Sequence, residues 1–258
     1  MVASHPYLDN TAPIAFAHRG GTSAAPENTL RAFENAVSLG YRYVETDVHA
    51  TRDGVLVAFH DNDLQRTCGK PWKIAETDWG TLSTARINGT EPIPLLQDLL
   101  STWPELRVNI DCKSDSAVQP LIDTLRESKS LDRVCVGSFS DKRLRHIREV
   151  FGQSLCTSMG PQEVVRLVAS STTGLPISPS RHARIAQVPV RQGPIPVVTR
   201  RSIKRAHQLG LQIHVWTIDD PQQISNLLDM GVDGIMSDDT TALKDVFFAR
   251  NILESFNK

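Results

Sequence analysis

The stretch that decides the predicted fold is residues 17–68, AHRGGTSAAPENTLRAFENAVSLGYRYVETDVHATRDGVLVAFHDNDLQRTC. An apolar run at 14–17 leads into it, an amphipathic segment at 29–39 follows, and a second apolar run spans 43–48. Short apolar runs that alternate with helix-period segments are typical of parallel strands joined by crossover helices. The stretch therefore predicts one β–α–β unit whose two strands point the same way.

The same alternation continues to the end of the chain and predicts eight such units. Strands are predicted at 14–17, 43–48 with a hairpin to 55–59, 107–112, 134–137, 155–157, 186–190, 212–216 and 234–236. Helices are predicted at 29–39, 95–102, 118–127, 141–151, 161–169, 199–209, 221–229 and 240–253. A (β/α)8 TIM barrel typically takes about 250 residues. The 258 residues therefore predict an α/β fold, a single barrel domain over 1–258.

The segment 61–94 shows no clear period and contains Pro71, Trp72, Trp79 and Pro92. Loops of this length inside a compact domain are usually functional or wrap the rim of a site. We interpret the segment as a small cap or insertion after the second strand, beside the mouth of the barrel. A plain surface excursion is the alternative.

The net charge and the lengths of the apolar runs argue against nucleic-acid binding and membrane insertion. The formal net charge of -1 argues against a nucleic-acid partner. The N-terminus has no basic leader before an apolar core, and no apolar run approaches the roughly 18 residues that a membrane span requires. We therefore expect no stable membrane insertion and a cytoplasmic location. The sequence leaves the oligomeric state unknown.

Two histidines and two carboxylates are predicted to meet at one rim. Glu45 and Asp47 alternate on a predicted strand, so both point to the same face. His18 and His60 each follow an apolar run, and barrel active sites lie at the carboxyl ends of the strands. A lone histidine is more often structural. Two that flank a carboxylate pair favour general acid–base catalysis.

The third predicted strand adds an anion and a cation to the same rim. Asn109, Asp111 and Lys113 share one face by the period of two. Glu45, Asp47 and Asp111 are candidate ligands of one divalent cation, and an all-oxygen set suits Mg²⁺ or Ca²⁺ better than Zn²⁺. Lys113 is a candidate for stabilising negative charge that develops on a bound substrate. The alternative is a plain ion pair between Asp111 and Lys113.

A series of short motifs resembles the glycerophosphodiester phosphodiesterase family. The shared motifs are His-Arg-Gly at 18–20, Pro-Glu-Asn-Thr at 26–29, Glu-Thr-Asp-Val at 45–48, Asp-Gly at 53–54, His-Asp at 60–61 and Leu-Gln-Arg-Thr at 64–67. The rest of the chain resembles the family more loosely, through 111–113 and the pattern from 214 to 238. The family usually has Glu where Asp111 stands and Asn where Asp219 stands.

The resemblance implies a reaction. Glycerophosphodiesters would be hydrolysed to glycerol 3-phosphate and an alcohol, with His18 and His60 exchanging acid and base roles and Arg19 contacting the phosphate. Trp216 would line the pocket for the glycerol or the leaving alcohol, with a place in the barrel core as the alternative. Glu27 would lie near the metal or order the start of a helix, for which Asn28 is our candidate N-cap.

Two other functions stay open at this point. The same residues would serve a lysophospholipase D, which would need an apolar groove beside the site. A non-catalytic barrel that binds phosphoglycerol is the other alternative, and the presence of both histidines, the carboxylates and Lys113 argues against it.

Overall fold

Eight short runs of mostly apolar residues form a closed parallel barrel in the computed structural model, which describes residues 5–176 and 182–256. Its strands are β1 (Ile14–Ala17), β2 (Tyr43–Ala50), β3 (Arg107–Cys112), β4 (Val134–Gly137), β5 (Cys156–Ser158), β6 (Ala183–Val188), β7 (Gln212–Val215) and β8 (Gly234–Ser237). Each strand pairs with the next, and β1 closes the ring by pairing with both β8 and β2. The predicted (β/α)8 barrel is confirmed.

Amphipathic helices follow the strands and cover the outside of the barrel. They are α1 (Leu30–Ser38), α2 (Leu96–Thr102), α3 (Val118–Ser128), α4 (Asp141–Phe151), α5 (Pro161–Thr173), α6 (Arg200–Gln208), α7 (Pro221–Met230) and α8 (Thr240–Ala249). Their apolar faces join the outward side chains of the strands in one large core. Polar caps start several of them, such as the Asp220 side chain, which accepts from the Gln223 amide at the start of α7.

Three predicted boundaries differ from the structure by three or more residues, and one of them is the end of α5, which continues to Thr173 rather than 169. Strand β6 begins at Ala183 rather than 186, because the charged Arg184 interrupts the apolar run without interrupting the strand. Helix α8 ends at Ala249 rather than 253. Asn251 adopts a left-handed φ of 57°, so the helix stops although apolar residues continue beyond it.

The lower part of the barrel lumen is apolar and forms a floor under the mouth. We call this cluster the floor; it comprises Tyr7, Ile14, Phe16, Tyr43, Cys135, Cys156, Ile185 and Met236. Tyr7 comes from a short 3-10 helix, Pro6–Leu8, and the Tyr43 hydroxyl donates to its carbonyl oxygen at 2.9 Å. Inward side chains therefore change along β2 from an aromatic ring at the floor to carboxylates at the mouth.

The segment 61–94 is a packed insertion with a small apolar core. A return strand, Leu56–Ala58, runs antiparallel to the end of β2 and leads into it. The insertion holds two short α-helices, Gln65–Cys68 and Trp79–Leu82, a 3-10 helix, Ile74–Glu76, and a pair of two-residue strands. Its buried residues are Leu64, Ile74, Leu82, Ala85, Ile87 and Ile93, which pack on Val57 and Phe59. The segment is therefore not a plain surface excursion.

In the parts of the chain that the structure describes, no helix is both long enough and apolar enough to cross a membrane.

Candidate active site

The turn after β1 places His18 and Arg19 at the mouth of the barrel. His18 follows the strand directly, and Arg19 adopts a left-handed φ of 52°. Gly20 has a φ of 83° and packs so closely on α1 that a Cβ there would lie 2.9 Å from the Ala32 backbone. Only glycine tolerates this combination. The sequence His-Arg-Gly therefore makes a tight turn that holds the two side chains at the rim.

Three carboxylates project into the mouth from two adjacent strands. Glu45 and Asp47 on β2 stand in register with Asn109 and Asp111 on β3. Glu45 and Asp47 are almost fully buried, and the Asp111 side chain is only 13% exposed. The period of two therefore places the three carboxylates together, as the alternation along both strands predicted.

Two cationic side chains contact these carboxylates. The Lys113 Nζ atom lies 3.0 Å from an oxygen of Asp47 and 3.0 Å from an oxygen of Asp111. The Arg19 Nε atom lies 3.3 Å from Asp47, and the Arg19 backbone amide donates to Glu45 at 3.1 Å. The ion pair that was the alternative role of Lys113 is therefore present, and it includes Asp47 as well.

Asn28 holds Asp47 rather than capping a helix. Its Nδ2 atom donates to Asp47 at 3.0 Å, and its Oδ1 atom accepts from the Thr46 hydroxyl at 2.7 Å. The N-cap of α1 is Thr29, whose hydroxyl accepts from the Ala32 amide at 3.1 Å. The predicted capping role of Asn28 is therefore wrong by one residue, and the side chain is a site residue that the sequence reading missed.

The electrostatic balance of the mouth is negative. Burial and the neighbouring Asp47 raise the pKa of Glu45 to about 8. Burial and Asp47 also raise the pKa of Asp111. Burial alone would raise the pKa of Asp47, but Lys113 and Arg19 outweigh it and hold that pKa below its ordinary value. The two cationic side chains therefore stabilise one of the three carboxylates fully and leave the other two short of positive charge.

His18 contacts two carboxylates, one on β2 and one in the loop after β8. Its Nδ1 atom lies 2.8 Å from Asp238, and its Nε2 atom lies 3.6 Å from Glu45. Burial opposes the charged form of this imidazole, but Glu45 and Asp238 outweigh burial and raise its pKa. Asp219 accepts from the Ser237 hydroxyl and the Asp238 amide, both at 2.8 Å, so it fixes the loop that carries Asp238.

His60 reaches the mouth by a different route. It follows the antiparallel return strand rather than a barrel strand, and the Phe59 amide donates to the Asp47 carbonyl at 2.9 Å. Its Nδ1 atom lies 2.6 Å from Asp61, and its side chain is 32% exposed. The hairpin therefore brings this imidazole back to the level of Asp47, at the more open edge of the mouth.

Two aromatic rings lie near Lys113, after β4 and β7. Trp216 follows β7 and is partly buried against the floor, while Phe139 follows β4 and is 67% exposed. Their rings meet edge to face with centroids 5.7 Å apart, and Lys113 Nζ lies 5.9 Å from the Phe139 centroid. Trp216 therefore packs partly on the floor and partly against Phe139, and its contact with the glycerol or the leaving alcohol stays a prediction. An aromatic residue two positions after a strand end was the available signal for Phe139.

The donors at the mouth fit a hard divalent cation by chemical type. All three carboxylates offer oxygen, and Asp111 Oδ1 is buried without a hydrogen-bond partner among the described residues. Within residues 5–176 and 182–256, however, no three His, Cys, Asp or Glu side chains are arranged as a ready metal-binding group. Lys113 Nζ lies between Asp47 and Asp111. The metal-ligand roles of Glu45, Asp47 and Asp111 therefore stay a prediction.

The structure brings the predicted site residues to one end of the barrel, although their roles stay predictions. Those residues are His18, Arg19, Glu45, Asp47, His60, Asp111, Lys113 and Trp216. Three further side chains take part that the sequence reading did not assign to the site, namely Asn28, Phe139 and Asp238.

Known proteins resemble this chain along nearly its whole length. The Glycerophosphoryl diester phosphodiesterase family matches residues 18–242. A Mycobacterium tuberculosis protein named "Probable glycerophosphodiester phosphodiesterase 2" is 38% identical over 248 residues, which are 95% of this chain and 94% of the relative.

Solved structures share the fold. A glycerophosphodiester phosphodiesterase from Agrobacterium tumefaciens superposes with a TM-score of 0.73 at 22% identity, over 91% of this chain and 98% of that one. A phosphodiesterase from Oleispira antarctica, solved with its product sn-glycerol-3-phosphate, gives 0.75 at 20% identity, over 92% and 97%. The family match and the 38% relative show that this enzyme belongs to the glycerophosphoryl diester phosphodiesterase family.

Proposed function

We propose that this protein hydrolyses glycerophosphodiesters to glycerol 3-phosphate and an alcohol, with one divalent cation and two histidines. One observation carries the proposal: a buried group of three carboxylates and two cationic side chains stands between His18 and His60 at the barrel mouth. The curated relative's name and the product bound to the Oleispira antarctica enzyme support the substrate class.

Glu45, Asp47 and Asp111 would hold the cation, Mg²⁺ or Ca²⁺. When bound, it would neutralise charge on the phosphoryl group and make a nearby hydroxyl more acidic. The negative balance of the mouth supports this role, because burial raises the pKa values of Glu45 and Asp111 in the absence of further positive charge. Asp111 is one methylene shorter than the Glu usual in the family, and it would still offer carboxylate oxygens to the cation.

In each of two steps, one histidine would accept a proton as the base and the other would donate a proton as the acid. In the first, the glycerol 2-hydroxyl attacks phosphorus, one imidazole takes its proton, and the other protonates the oxygen of the departing alcohol. In the second, water opens the cyclic phosphate and the roles reverse. Asp238 and Asp61 occupy the Nδ1 sides of His18 and His60, so each ring presents Nε2 for proton transfer.

Arg19 and Lys113 would hold the phosphoryl oxygens. Both now pair with carboxylates, and a guanidinium fork and an ammonium are well suited to bind the charge that develops on phosphorus substituents. Trp216 and Phe139 would contact the apolar face of the glycerol or the leaving alcohol. The two cationic side chains would then contact the phosphoryl group, and the two aromatic rings would contact the organic part of the substrate.

A turnover assay tests the proposal and separates it from its alternatives. Purified protein is given glycerophosphocholine, glycerophosphoethanolamine, glycerophosphoglycerol or a lysophospholipid, with and without Mg²⁺ or Ca²⁺. We expect glycerol 3-phosphate from the water-soluble diesters only when the metal is present. Preference for the lysophospholipid would instead indicate a lysophospholipase D. Tight binding of the diesters without turnover would indicate a non-catalytic barrel.

His18→Ala is the variant for this assay, and His146→Ala is its matched control. His146 is an exposed histidine on α4, on the outer layer of the barrel. The first substitution should lower turnover by roughly a hundredfold or more, the scale of general acid–base catalysis. The control should keep wild-type turnover. Equal activities of the two variants would contradict the proposed role of His18.

A further inference from the structure

Arg66 joins two carboxylates at the seam between the insertion and the barrel. It lies on the short helix Gln65–Cys68. Its Nε and Nη2 atoms lie 2.6 and 3.2 Å from the two oxygens of Asp61, and its Nη1 and Nη2 atoms lie 2.9 and 2.6 Å from those of Glu27. A guanidinium that holds both oxygens of a carboxylate fixes its orientation as well as its position.

Each of the two carboxylates holds a residue of the proposed site. Asp61 lies 2.6 Å from Nδ1 of His60, and Glu27 accepts from Nη1 of Arg19 at 3.0 Å. A continuous series of hydrogen bonds thus runs from His60 through Arg66 to Arg19. It connects the histidine that follows the hairpin with the arginine in the turn after β1.

The charges along this series keep both carboxylates ionised. Hydrogen bonds from Arg66 lower the pKa of Asp61 to about 2. Burial would raise the pKa of Glu27, but Arg66 and Arg19 outweigh it and lower that pKa. An ionised carboxylate on Nδ1 fixes the tautomer and the ring plane of an imidazole. Asp61 can therefore hold His60 in one orientation only while Arg66 holds Asp61.

Stability alone gives little reason for an arginine at this place. The Arg66 side chain is 49% exposed, and exposed ion pairs contribute little to the free energy of unfolding. The insertion already has its own apolar core, which does not include Arg66. The effect of this residue should therefore appear in turnover more than in stability.

We propose that Arg66 is a positioning residue for the reaction. It acts on His60 through Asp61 and on Arg19 through Glu27. This inference rests on the proposed function, because that function gives His60 its acid–base role and Arg19 its phosphate contact. The insertion then does more than cover the mouth, since it supplies the connection that sets the relative placement of two site residues.

The test compares Arg66→Ala with Arg52→Ala in steady-state kinetics on glycerophosphocholine. Arg52 is the matched control, because it also pairs with a carboxylate of the insertion, Asp78, but both side chains are exposed and the hydrogen bonds of Arg52 go to Asp78 and Thr77 rather than to a site residue. We expect kcat to fall by roughly 10–100-fold for Arg66→Ala, the range for residues that orient a functional side chain. Arg52→Ala should keep wild-type kcat, and both variants should unfold at the wild-type temperature.

Two further variants identify the route of the effect. Asp61→Asn keeps the shape of the side chain but removes its charge, and its loss should not multiply with that of Arg66→Ala. In a His60→Ala background, Arg66→Ala should retain only the part of its effect that passes through Arg19. Arg66→Lys should recover little activity, because one ammonium cannot hold two carboxylates by both oxygens.

The possible outcomes distinguish a failure of this inference from a failure of the proposed function on which it rests. A large loss for His60→Ala together with wild-type kcat for Arg66→Ala would overturn the positioning role and leave the proposed function intact. Full multiplication of the Arg66→Ala and Asp61→Asn losses would also overturn it. Wild-type turnover by His60→Ala would contradict the proposed function and, with it, the His60 arm of the inference.

Discussion

Two histidines in the same barrel lumen, one largely and one fully buried, show how differently its two ends behave. His18 lies at the mouth, where Glu45 and Asp238 outweigh burial and raise its pKa. His214 lies against the floor, with its ring centroid 5.0 Å from that of Phe16, and burial lowers its pKa to about 3. The residue type and the degree of burial are similar. The difference is the presence of carboxylates. They stabilise a charged imidazole at the mouth, whereas at the floor apolar packing favours the neutral form.

Removal of divalent cations should produce the largest effect and would test whether the mouth requires positive charge. Exhaustive treatment with EDTA should abolish turnover, and Mg²⁺ or Ca²⁺ should restore it, because buried carboxylates at the mouth lack sufficient cationic partners. Addition of the metal should also raise the unfolding temperature of the metal-free protein. Full activity after chelation would refute the metal assignment.

Lys113→Ala should have the next largest effect. The ammonium stands 3.0 Å from both Asp47 and Asp111, where it can stabilise phosphoryl charge in the transition state. We expect kcat to fall by roughly a hundredfold or more, as when one preorganised donor is lost. Lys142→Ala is a control, since Lys142 pairs with Asp115 at 3.6 Å on the exposed surface. A rise in KM alone would make Lys113 a binding residue.

His18→Ala and His60→Ala should each lower kcat/KM on the order of 10²-fold, and the two losses should not multiply. A substrate with an acidic leaving group, such as a nitrophenyl ester, needs no proton donor. It should rescue the variant that lacks the general acid and leave the other impaired, which assigns the two roles. Kinetics on both substrates provide the measurement. Identical behaviour of the variants on both would count against separate acid and base roles.

Near the floor, acidification should act through His214 and change the free energy of unfolding rather than turnover. His214 is neutral in both states above its unfolded pKa of about 6.5, so it contributes nothing there. As the pH falls below that value, the unfolded chain binds a proton that the folded one, with its pKa of about 3, cannot bind. Between about pH 7.5 and about pH 5 this group should remove about 2 kcal/mol from the free energy of unfolding.

Urea unfolding of wild type and His214→Gln at the two pH values measures this contribution. The variant has no titrating group at the position, so its stability should fall less on acidification, by the amount assigned to His214. Parallel losses in the two proteins would mean that the imidazole charges within the fold.

The sequence predicted most of the barrel and the placement of the carboxylates because both follow from short periods. Strand–helix alternation identifies the eight units, and alternation within β2 and β3 puts Glu45, Asp47 and Asp111 on one face. The partner of His18 was not predictable in the same way, whereas Asp61, which contacts His60, follows it directly in the sequence. Asp238 is far from His18 in sequence, and only closure of β8 on β1 brings them together.

Local motifs also misled where two roles share one residue type. Asn28 stands next to a helix start, where Asn is a common cap, yet its left-handed φ of 53° turns the side chain toward Asp47. Arg66 belongs to the motif Leu-Gln-Arg-Thr at 64–67, but the motif does not indicate that Arg66 binds both Asp61 and Glu27. Those contacts depend on how the insertion packs on the barrel.

The hairpin after β2 has a consequence for insertions and deletions. His60 owes its place to the pairing of Val48 with Ala58 and of Ala50 with Leu56, which the turn around Gly54 fixes. A change of one residue in the length of that turn would shift the pairing and point the next side chains to the opposite face. Although the turn is exposed and a Cβ on Gly54 would meet nothing, its length should therefore be as restricted in evolution as the identity of a site residue.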